Sequence, residues 1–486
     1  MSNITIRRQE VSFLPQNSRV IVRPFIPFHA HLVGAIAGRA NALSESEAEA
    51  ELAMLEADFS LRHLDIEAIW LNHFQKVRAS ILPAQIYSRT RQLLIGAMFS
   101  GEYALESAAL FNPSMVPHPD QTDAPAGGLR FIVSLRATGE GHISSIEFRT
   151  GLLTAYGNVQ LDPISRFVTL PEVVPNPSYV RARFIRKLQE LGVEDRYITE
   201  VMLPLDSKFT LQDLLQSMKR VRISFKPYTA PLKRALESIR WLAESNYELR
   251  FSSKIALSER IIFPVSPNES NGIEDARFVR FTEDDGSVTY YATYTAYNGR
   301  VILPQFIETE DFLNFRVLTL NGNALQNKGM ALFPRRIGGR YAMLSRQDDE
   351  NLFIMFSDNL HHWSDPKRIM SPAFVWEAIK IGNCGSPIET ELGWLVITHG
   401  VGPMRRYCIG AALLDLHEPD KVIGRLKLPL LCPAGHEREG YVPNVVYSCG
   451  SLRHNRMLIL PYAVSDTSST IATIDLDELL RALMEV

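Results

Sequence analysis

Two carboxylates and a guanidinium occupy one short, otherwise apolar stretch of the chain. Glu274, Asp275 and Arg277 stand in the segment NGIEDARFVRF, between Ile273 and Phe278. Charged side chains are usually solvated, so three of them in an apolar run call for a physical reason. A carboxylic acid whose burial favours the protonated form can serve as a general acid near neutral pH. Taken alone, however, an E-D-x-R sequence is most often a surface turn or an ion pair.

The composition is that of an ordinary globular protein. The chain has 486 residues, of which 46% are hydrophobic and 22% charged, and its net charge is −3. This length suits two or three domains, or one large β architecture with insertions. The near-neutral charge argues against a nucleic-acid-binding surface but not against a small neutral or anionic ligand in a local pocket.

The N-terminal residues and the cysteines favour a cytoplasmic protein without a metal site. The segment MSNITIRRQEVSFLPQ lacks the apolar core of a signal peptide, and no segment approaches the roughly 18 apolar residues of a membrane span. The cysteines show no paired CxxC spacing, so zinc is not expected. We expect four buried, reduced thiols: Cys384, Cys408, Cys432 and Cys449.

Helical periodicity is confined to three parts of the chain. Residues 40–105 open with a capping box formed by Ser44 and Glu47 and continue with apolar residues at helical spacing. A second helical block spans about 178–245, and residues 477–486 predict a C-terminal helix.

Strand patterns dominate the remaining chain. Short β-rich runs separated by turn residues occupy 108–170 and about 249–474. They are too many for one immunoglobulin-like sandwich, and their spacing suits the blades of a β-propeller, each of about 40–50 residues. We therefore predict a mainly β protein with an N-terminal helical extension (1–105), a β-propeller domain (106–486) and a helical insertion at about 175–247.

Eight stretches are similar, in order, to the motifs of glycoside hydrolase family 130, the β-mannoside phosphorylases and related β-mannosidases. GIEDARF resembles the family's G-V-E-D-P-R signature, ALFNPS its F-N-P/S opening, and NKGMALFPRRIGGRYAMLSR its N-K-D-x-x-L-F-P…R segment. WEAIKIGNCGSPIETELGWLVITHGVG resembles the W-x-x-x-K-I-G…H-G-V segment, and GYVPNVVYSCG and LPYAVSDTSSTIA the late strands. The resemblance covers 108–150 and 249–475 and implies a five-bladed β-propeller with its active site at one end of the central channel.

The resemblance also implies roles for individual residues. Asp275 would be the proton donor, acting through a mannose hydroxyl. Inorganic phosphate would be held by four basic residues: Arg136, Lys328, Arg346 and His399. Phosphate, the sugar or the aspartate loop would be contacted by Asn112, Glu274, Arg277 and Asp466. Among the aromatic residues that could stack on a sugar ring, Tyr294 is expected in the core, Trp376 is equally a core candidate, and Tyr297 and Tyr441 remain open.

These roles predict an inverting β-mannoside phosphorylase. Phosphate is already an anionic nucleophile, so the enzyme needs cations to hold it and no second carboxylate to activate water. The products would be α-mannose 1-phosphate and a shortened manno-oligosaccharide, with no metal or organic cofactor and no nucleic-acid or membrane partner. The alternatives are a β-mannoside hydrolase on the same fold and a non-catalytic sugar-binding propeller. The helical segments could form a homo-oligomer interface.

Two features leave questions open at the sequence level. Arg277, if close, opposes the effect of burial on the Asp275 carboxyl, and the sequence leaves that balance open. Ala276 stands where the family has proline and Gly329 where it has aspartate, which puts the acceptor-sugar subsite in doubt.

Overall fold

The chain is mainly β, with helices before, within and after the β region. The structure is a computed structural model that describes residues 4–81, 86–176, 178–297, 302–325 and 327–485. Within these residues the chain forms five antiparallel sheets of four or more strands, two short two-stranded ribbons and nine α-helices. The mainly β class predicted from the sequence is confirmed.

The five large sheets, here numbered I to V, follow one another along the chain. In hydrogen-bonding order, sheet I contains Ile261–Ile262, Ser144–Leu153, Leu129–Thr138 and Ala109–Pro117, with Val159–Leu161 paired to the second strand, and sheet II contains Ile273–Thr282, Val288–Tyr297, Ile302–Thr309, Asn314–Thr319, Tyr247–Arg250 and Glu172–Pro175. Sheet III contains Ala331–Leu332, Tyr341–Ser345, Leu352–Ser357 and Lys367–Met370, and sheet IV contains Lys380–Asn383, Gly393–Val401, Tyr407–Leu414 and Val422–Arg425, with Ile388–Thr390 paired to the second strand. Sheet V contains Ile6–Phe13, Ser468–Asp475, Met457–Val464 and Val446–Tyr447, with Leu452–His454 paired to the third strand. The two ribbons pair Val20–Pro24 with Ser100–Ala104 and Tyr179–Val180 with Lys208–Phe209.

Neighbouring sheets pack on one another in chain order. Sheet I contacts sheet II, II contacts III, III contacts IV, IV contacts V, and sheet V contacts sheet I again. The strand Ile6–Phe13 pairs with Ser468–Asp475, so the first residues of the chain belong to the same sheet as the last strands. The predicted extension over 1–105 is therefore not only helical, and the domain boundary at residue 105 stays a prediction.

Four helices near the N-terminus pack around a small apolar core of their own that includes Phe74 and Phe99. The capping box predicted at Ser44 and Glu47 is present at the start of the second helix. Because the capping side chains bond the free backbone N–H groups, this helix begins at a defined residue. The four helices are Ala30–Ala42, Glu45–Phe59, Ile66–Arg78 and Arg89–Met98.

The helical insertion projects from one edge of sheet II. The strands Glu172–Pro175 and Tyr247–Arg250 are antiparallel neighbours in that sheet, and the insertion lies between them in the sequence. Its helices bury an apolar cluster of their own, so the insertion has a separate core. The helices are Arg181–Glu190, Asp195–Met202, Leu211–Ser224 and Ala230–Glu244.

The predicted C-terminal helix is confirmed as Leu476–Met484, which contacts sheets IV and V. None of the helices that the structure describes combines the length and the apolar character needed to cross a lipid bilayer.

The expectation of four reduced thiols is wrong for one pair. Cys408 and Cys432 form a disulfide, whereas Cys384 and Cys449 are buried free thiols. Next to this pair, an isolated antiparallel β-bridge joins the backbones of Ile409 and Leu431. This bridge holds the neighbouring Cys408 and Cys432 close enough to bond. The two cysteines lie 24 residues apart, a spacing that carries no local pairing signal.

A fully buried ion cluster ties the N-terminal segment to sheet I. The Arg19 guanidinium lies 2.7 Å from Glu106 and 2.8 Å from Glu147, and Arg149 lies 2.6 Å from Glu106 and 3.1 Å from Glu147. Arg19 also donates to the Ser258 carbonyl, so its donors are satisfied inside the protein. Such a cluster depends on every member because a charge left without its partner stays buried.

We expect Arg19→Met to lower the free energy of unfolding by about 3–5 kcal/mol, because two buried carboxylates lose a cation. Chemical denaturation followed by circular dichroism measures the loss. The matched control is Arg240→Ala, which breaks an exposed pair with Glu244 on one helix and is expected to change stability by less than about 1 kcal/mol. Equal losses in the two variants would contradict a structural role for the buried cluster.

Candidate active site

A cavity of about 300 Å³ is lined by residues from several sheets. Asn112 comes from the strand Ala109–Pro117 of sheet I, Asp275 from the strand Ile273–Thr282 of sheet II, Lys380 from sheet IV and Tyr447 from sheet V. Gly329 lines it from the segment directly before sheet III. All five sheets therefore contribute to one site, although their residues are far apart in the sequence.

The Asp275 carboxyl reaches the cavity through an irregular backbone. The register of its strand shifts between Glu274 and Arg277, and Asp275 has a φ of +55°. The facing strand of sheet I has a similar shift, where Asn112 has a φ of +49°. Residues other than glycine rarely adopt such φ angles. Bulges of this kind change the direction in which a side chain leaves the strand. As a result, the Asn112 amide donates a hydrogen bond to the Asp275 carboxylate.

Basic side chains surround this carboxylate. The Arg136 Nη1 atom lies 3.6 Å from Asp275 Oδ1, and its Nη2 atom donates to Glu274 Oε1 at 2.9 Å. The Lys328 ammonium lies 3.4 Å from the other Glu274 oxygen. Glu274 thus connects two of the predicted phosphate-binding residues, and it does so from just outside the cavity wall.

The charges around the Asp275 carboxyl favour its ionised form over its protonated form. Burial raises the pKa of the Asp275 carboxyl, but the charges of Arg136, Lys328 and Arg277 and the hydrogen bond from Asn112 together lower that pKa below its ordinary value. The carboxyl is therefore ionised at neutral pH. The sequence leaves the balance between burial and nearby charge open, and the structure resolves it in favour of the cations, whose effect outweighs desolvation.

His399 is a neutral member of the predicted phosphate-binding set. Burial, together with the charges of Arg346 and Arg277, holds the pKa of its imidazole well below the ordinary value. Its Nδ1 atom lies 3.2 Å from the Asn383 carbonyl oxygen, which can only accept, so Nδ1 carries the proton. The Nε2 atom is then an acceptor. His399 can accept from a hydroxyl of phosphate or sugar, but it does not supply positive charge.

Asp466 is a second acid in the cavity wall. It lies in the turn between the last two strands of sheet V and has a φ of +53°. Burial, with the nearby charge of Asp275, raises the pKa of the Asp466 carboxyl to about 6, although Arg136 and Arg405 act in the opposite direction. The two carboxyls of the cavity therefore differ in proton affinity because one has more cations around it.

Most of the residues singled out in the sequence come together here. Eight of them line the cavity: Asn112, Arg136, Asp275, Arg277, Lys328, Arg346, His399 and Asp466. Trp376 does not; its ring packs against Gly400 and Gly410, and its indole nitrogen donates to the Lys427 carbonyl. A sugar contact by Trp376 stays a prediction without support from this geometry.

Two of the other aromatic candidates, Tyr294 and Tyr441, also lie away from the cavity wall. Tyr294 is in the core, as expected, and donates to the buried Glu269 carboxylate. Tyr441 is exposed, with its ring 5.7 Å from that of His142. The side chain of Tyr297 lies outside the described residues.

Sequence reasoning missed four polar residues of the cavity wall: Lys380, Arg405, Tyr407 and Tyr447. Lys380 stands in the segment WEAIKIG, so the matching motif already contained the signal. Tyr447 accepts a hydrogen bond from Arg277 at 2.6 Å. Arg405 reaches the cavity from a short turn with a φ of +53°, a conformation that no local pattern announces.

Gly329 stands where the family has an aspartate after N-K, and it has a positive φ angle. Gly329 has a φ of +91°, which strains any residue with a side chain. Its carbonyl accepts from Asn383, the residue whose own carbonyl faces His399. The missing carboxylate beside Lys328 is therefore accompanied by a defined loop conformation that links sheets III and IV.

The overall charge of the wall suits an anionic ligand. Six basic and two acidic side chains line the cavity. Basic groups fixed in a partly buried site bind phosphate oxygens by charge-assisted hydrogen bonds. Across the described part of the chain, no three His, Cys, Asp or Glu side chains are placed to hold a metal ion.

The raised pKa of Asp466 makes a prediction for stability. Unfolding returns this carboxyl to its ordinary pKa of about 4, so the folded state loses stability as the pH rises through about 6. We expect Asp466→Asn to raise the free energy of unfolding by about 1–3 kcal/mol near pH 8 and to have little effect below about pH 4. Chemical denaturation across this pH range measures the difference, with the exposed Asp358→Asn as control. A gain of the same size at both ends of the range would contradict the shift.

Comparison with known proteins finds one family whose model matches the chain. The model of glycoside hydrolase family 130, described as beta-1,4-mannooligosaccharide phosphorylase, matches residues 219–485, more than half of the chain. The match includes Asp275, Lys328, Arg346, His399 and Asp466, whereas Asn112 and Arg136 lie before it.

Two named relatives and one solved structure are similar to parts of the chain. A 1,2-beta-oligomannan phosphorylase of Thermoanaerobacter sp. is 37% identical over 228 residues, which are 45% of this chain and 75% of that protein. A beta-1,2-mannobiose phosphorylase of Listeria innocua is 31% identical over 266 residues, which are 52% of this chain and 72% of that protein. The structure of a Listeria innocua beta-1,2-mannobiose phosphorylase in complex with beta-1,2-mannobiose superposes with a TM-score of 0.47 and 21% identity, over 78% of this chain and 93% of that one. By the extent of the family match, the chain belongs to glycoside hydrolase family 130.

Proposed function

We propose that the protein is an inverting phosphorylase that cleaves a β-mannosidic bond of a manno-oligosaccharide with inorganic phosphate and releases α-mannose 1-phosphate. The observation that carries the proposal is the single cavity in which Asp275 stands among six basic side chains. The phosphorylase activities of the named relatives support the same reaction class.

Phosphate would bind among the basic residues of the cavity wall. Arg136, Lys328 and Arg346 supply positive charge, and the Nε2 atom of His399 supplies an acceptor for a phosphate hydroxyl. Held there, phosphate is positioned to attack the anomeric carbon without a carboxylate to activate it. The sugar would take the remaining space beside Asn112 and Asp466.

Asp275 would donate the proton to the leaving oxygen through a mannose hydroxyl. The cations that keep this carboxyl ionised are the groups that phosphate would neutralise. Bound phosphate therefore favours the protonated form of Asp275, so the acid becomes competent when the nucleophile is in place. Glu274 and Arg277 act as positioning residues, since one orients Arg136 and Lys328 and the other bonds Tyr447.

The five sheets would be the blades of a five-bladed β-propeller around the cavity. The contacts between successive sheets, and between sheet V and sheet I, support this arrangement. Sheet V contains strands from both ends of the described chain, and such a mixed blade would hold the ring closed. The cytoplasmic location and a homo-oligomer interface on the helical segments stay predictions.

The reaction is tested by incubating the purified protein with β-1,2- and β-1,4-mannobiose, with and without inorganic phosphate. Both linkages are needed because the named relatives act on β-1,2 mannosides whereas the family description names β-1,4. We expect α-mannose 1-phosphate to form only with phosphate. Turnover at an equal rate without phosphate would favour a hydrolase, and no turnover of any mannoside would favour a sugar-binding propeller.

Two substitutions separate the acid from the phosphate site. Asp275→Asn is expected to lower kcat by about 10²–10⁴-fold, the usual contribution of a general acid. Lys328→Ala is expected to raise the KM for phosphate at least about tenfold with a smaller effect on the KM for the mannoside. Lys367→Ala, an exposed lysine of sheet III, is the matched control. Unchanged phosphate affinity in Lys328→Ala would contradict its proposed role.

A further inference from the structure

A second cavity, of about 230 Å³, lies between the helical insertion, sheet II and a loop of sheet III. It shares no lining residue with the first cavity. Four residues of basic type line it: Arg183 and Lys187 from the helix Arg181–Glu190, Arg316 from sheet II, and His361 from the loop after a strand of sheet III. No carboxylate is among its lining residues.

Two carboxylates lie behind this basic wall and offset part of its charge. Glu190 lies 3.2 Å from Lys187, and Glu308 lies 3.0 Å from Arg316. Arg183 makes no ion pair with any residue that the structure describes. An exposed arginine on the same helix as Lys187, with Arg316 contributed by sheet II, leaves a local excess of positive charge.

His361 adds one ring nitrogen, Nδ1, that has no hydrogen-bond partner among the described residues. Burial, with the charges of Arg183 and Arg316, lowers the pKa of its imidazole to about 4, so the ring is neutral. Its Nε2 atom lies 3.4 Å from Glu308, whereas its Nδ1 atom is buried and has no hydrogen-bond partner within the described chain. Buried polar atoms are usually bonded, so an unpaired one beside a cavity suggests a missing ligand or water.

The N-terminus of the adjoining helix also favours a negatively charged ligand. The helix Arg181–Glu190 follows Val180, which provides no side-chain cap, and its first turn contains no acidic residue. The free backbone N–H groups at a helix start carry partial positive charge. Both Val180 and Arg183 line the cavity, so this partial charge adds to that of the side chains.

We propose that this second cavity binds a phosphate group, supplied either by inorganic phosphate or by a sugar phosphate. Guanidinium groups from two separate elements, with an ammonium group beside them, match the charge and the several oxygen acceptors of phosphate. The volume is below the roughly 300–1,000 Å³ of pockets for larger ligands, so the occupant is a small ion or a monosaccharide phosphate. A bound phosphate would connect the helical insertion to sheet II, because Arg183 and Arg316 lie on opposite sides. This inference does not depend on the proposed reaction.

The experiment measures phosphate binding after the first cavity has been silenced. In an Arg136→Ala/Arg346→Ala background, isothermal titration is performed with inorganic phosphate and, separately, with α-mannose 1-phosphate. We expect one binding event to remain, and Arg183→Ala to weaken it at least about tenfold. Arg316→Ala, also at an exposed side chain, is expected to weaken it similarly. Tighter binding of the sugar phosphate would identify it as the source, and equal affinities would identify inorganic phosphate.

The matched control is Arg186→Ala, which removes an exposed arginine of the same helix that does not line the cavity. It is expected to leave the affinity within about twofold, as for an uninvolved surface charge. Circular dichroism confirms that each variant is folded. The absence of any phosphate binding in the silenced background, or equal affinities in Arg183→Ala and Arg186→Ala, would overturn the proposal. Because no turnover is measured, this outcome is independent of the assay for phosphorolysis.

Discussion

Repulsion among basic side chains is the constraint around which the site is organised. Six cations share the wall of one cavity, and such a group is stable only where carboxylates interleave with it. Glu274 performs this role for Arg136 and Lys328, and Asp275 lies beside both. The charges of these neighbouring cations also explain why Asp275 is ionised. A negatively charged ligand would relieve the repulsion and release that carboxyl to take up a proton.

The backbone accepts strain to hold these groups in place. Asn112, Asp275 and Asp466 all have positive φ angles, and all three line the cavity. Two of them lie at register shifts in facing strands. Strain of this kind persists only where the surrounding structure is rigid, and here the packed sheets supply the rigidity. The site is therefore a property of the assembled sheets and not of any one segment.

The sequence predicts features whose causes are local. The capping box at Ser44, the strand-rich region and the C-terminal helix follow from short-range patterns. The cavity residues follow from motifs in which the residue types stand in a fixed order. Three features have no local signal: the pairing of Ile6–Phe13 with Ser468–Asp475, the Cys408–Cys432 disulfide, and the approach of Arg405. The sequence also does not predict the protonation state of Asp275, because that state depends on distances between charges that only the folded structure sets.

The composition of sheet V has a consequence for how the protein is made on the ribosome. Ile6–Phe13 is synthesised long before its partner strand Ser468–Asp475. Until then the edge of the early strand is open, and Tyr447 and Asp466 are absent from the cavity. Pairing across so long a separation is slow, and unpaired edges invite aggregation in incomplete chains. The nascent chain thus has an extended period in which chaperones that cover strand edges would be of most use.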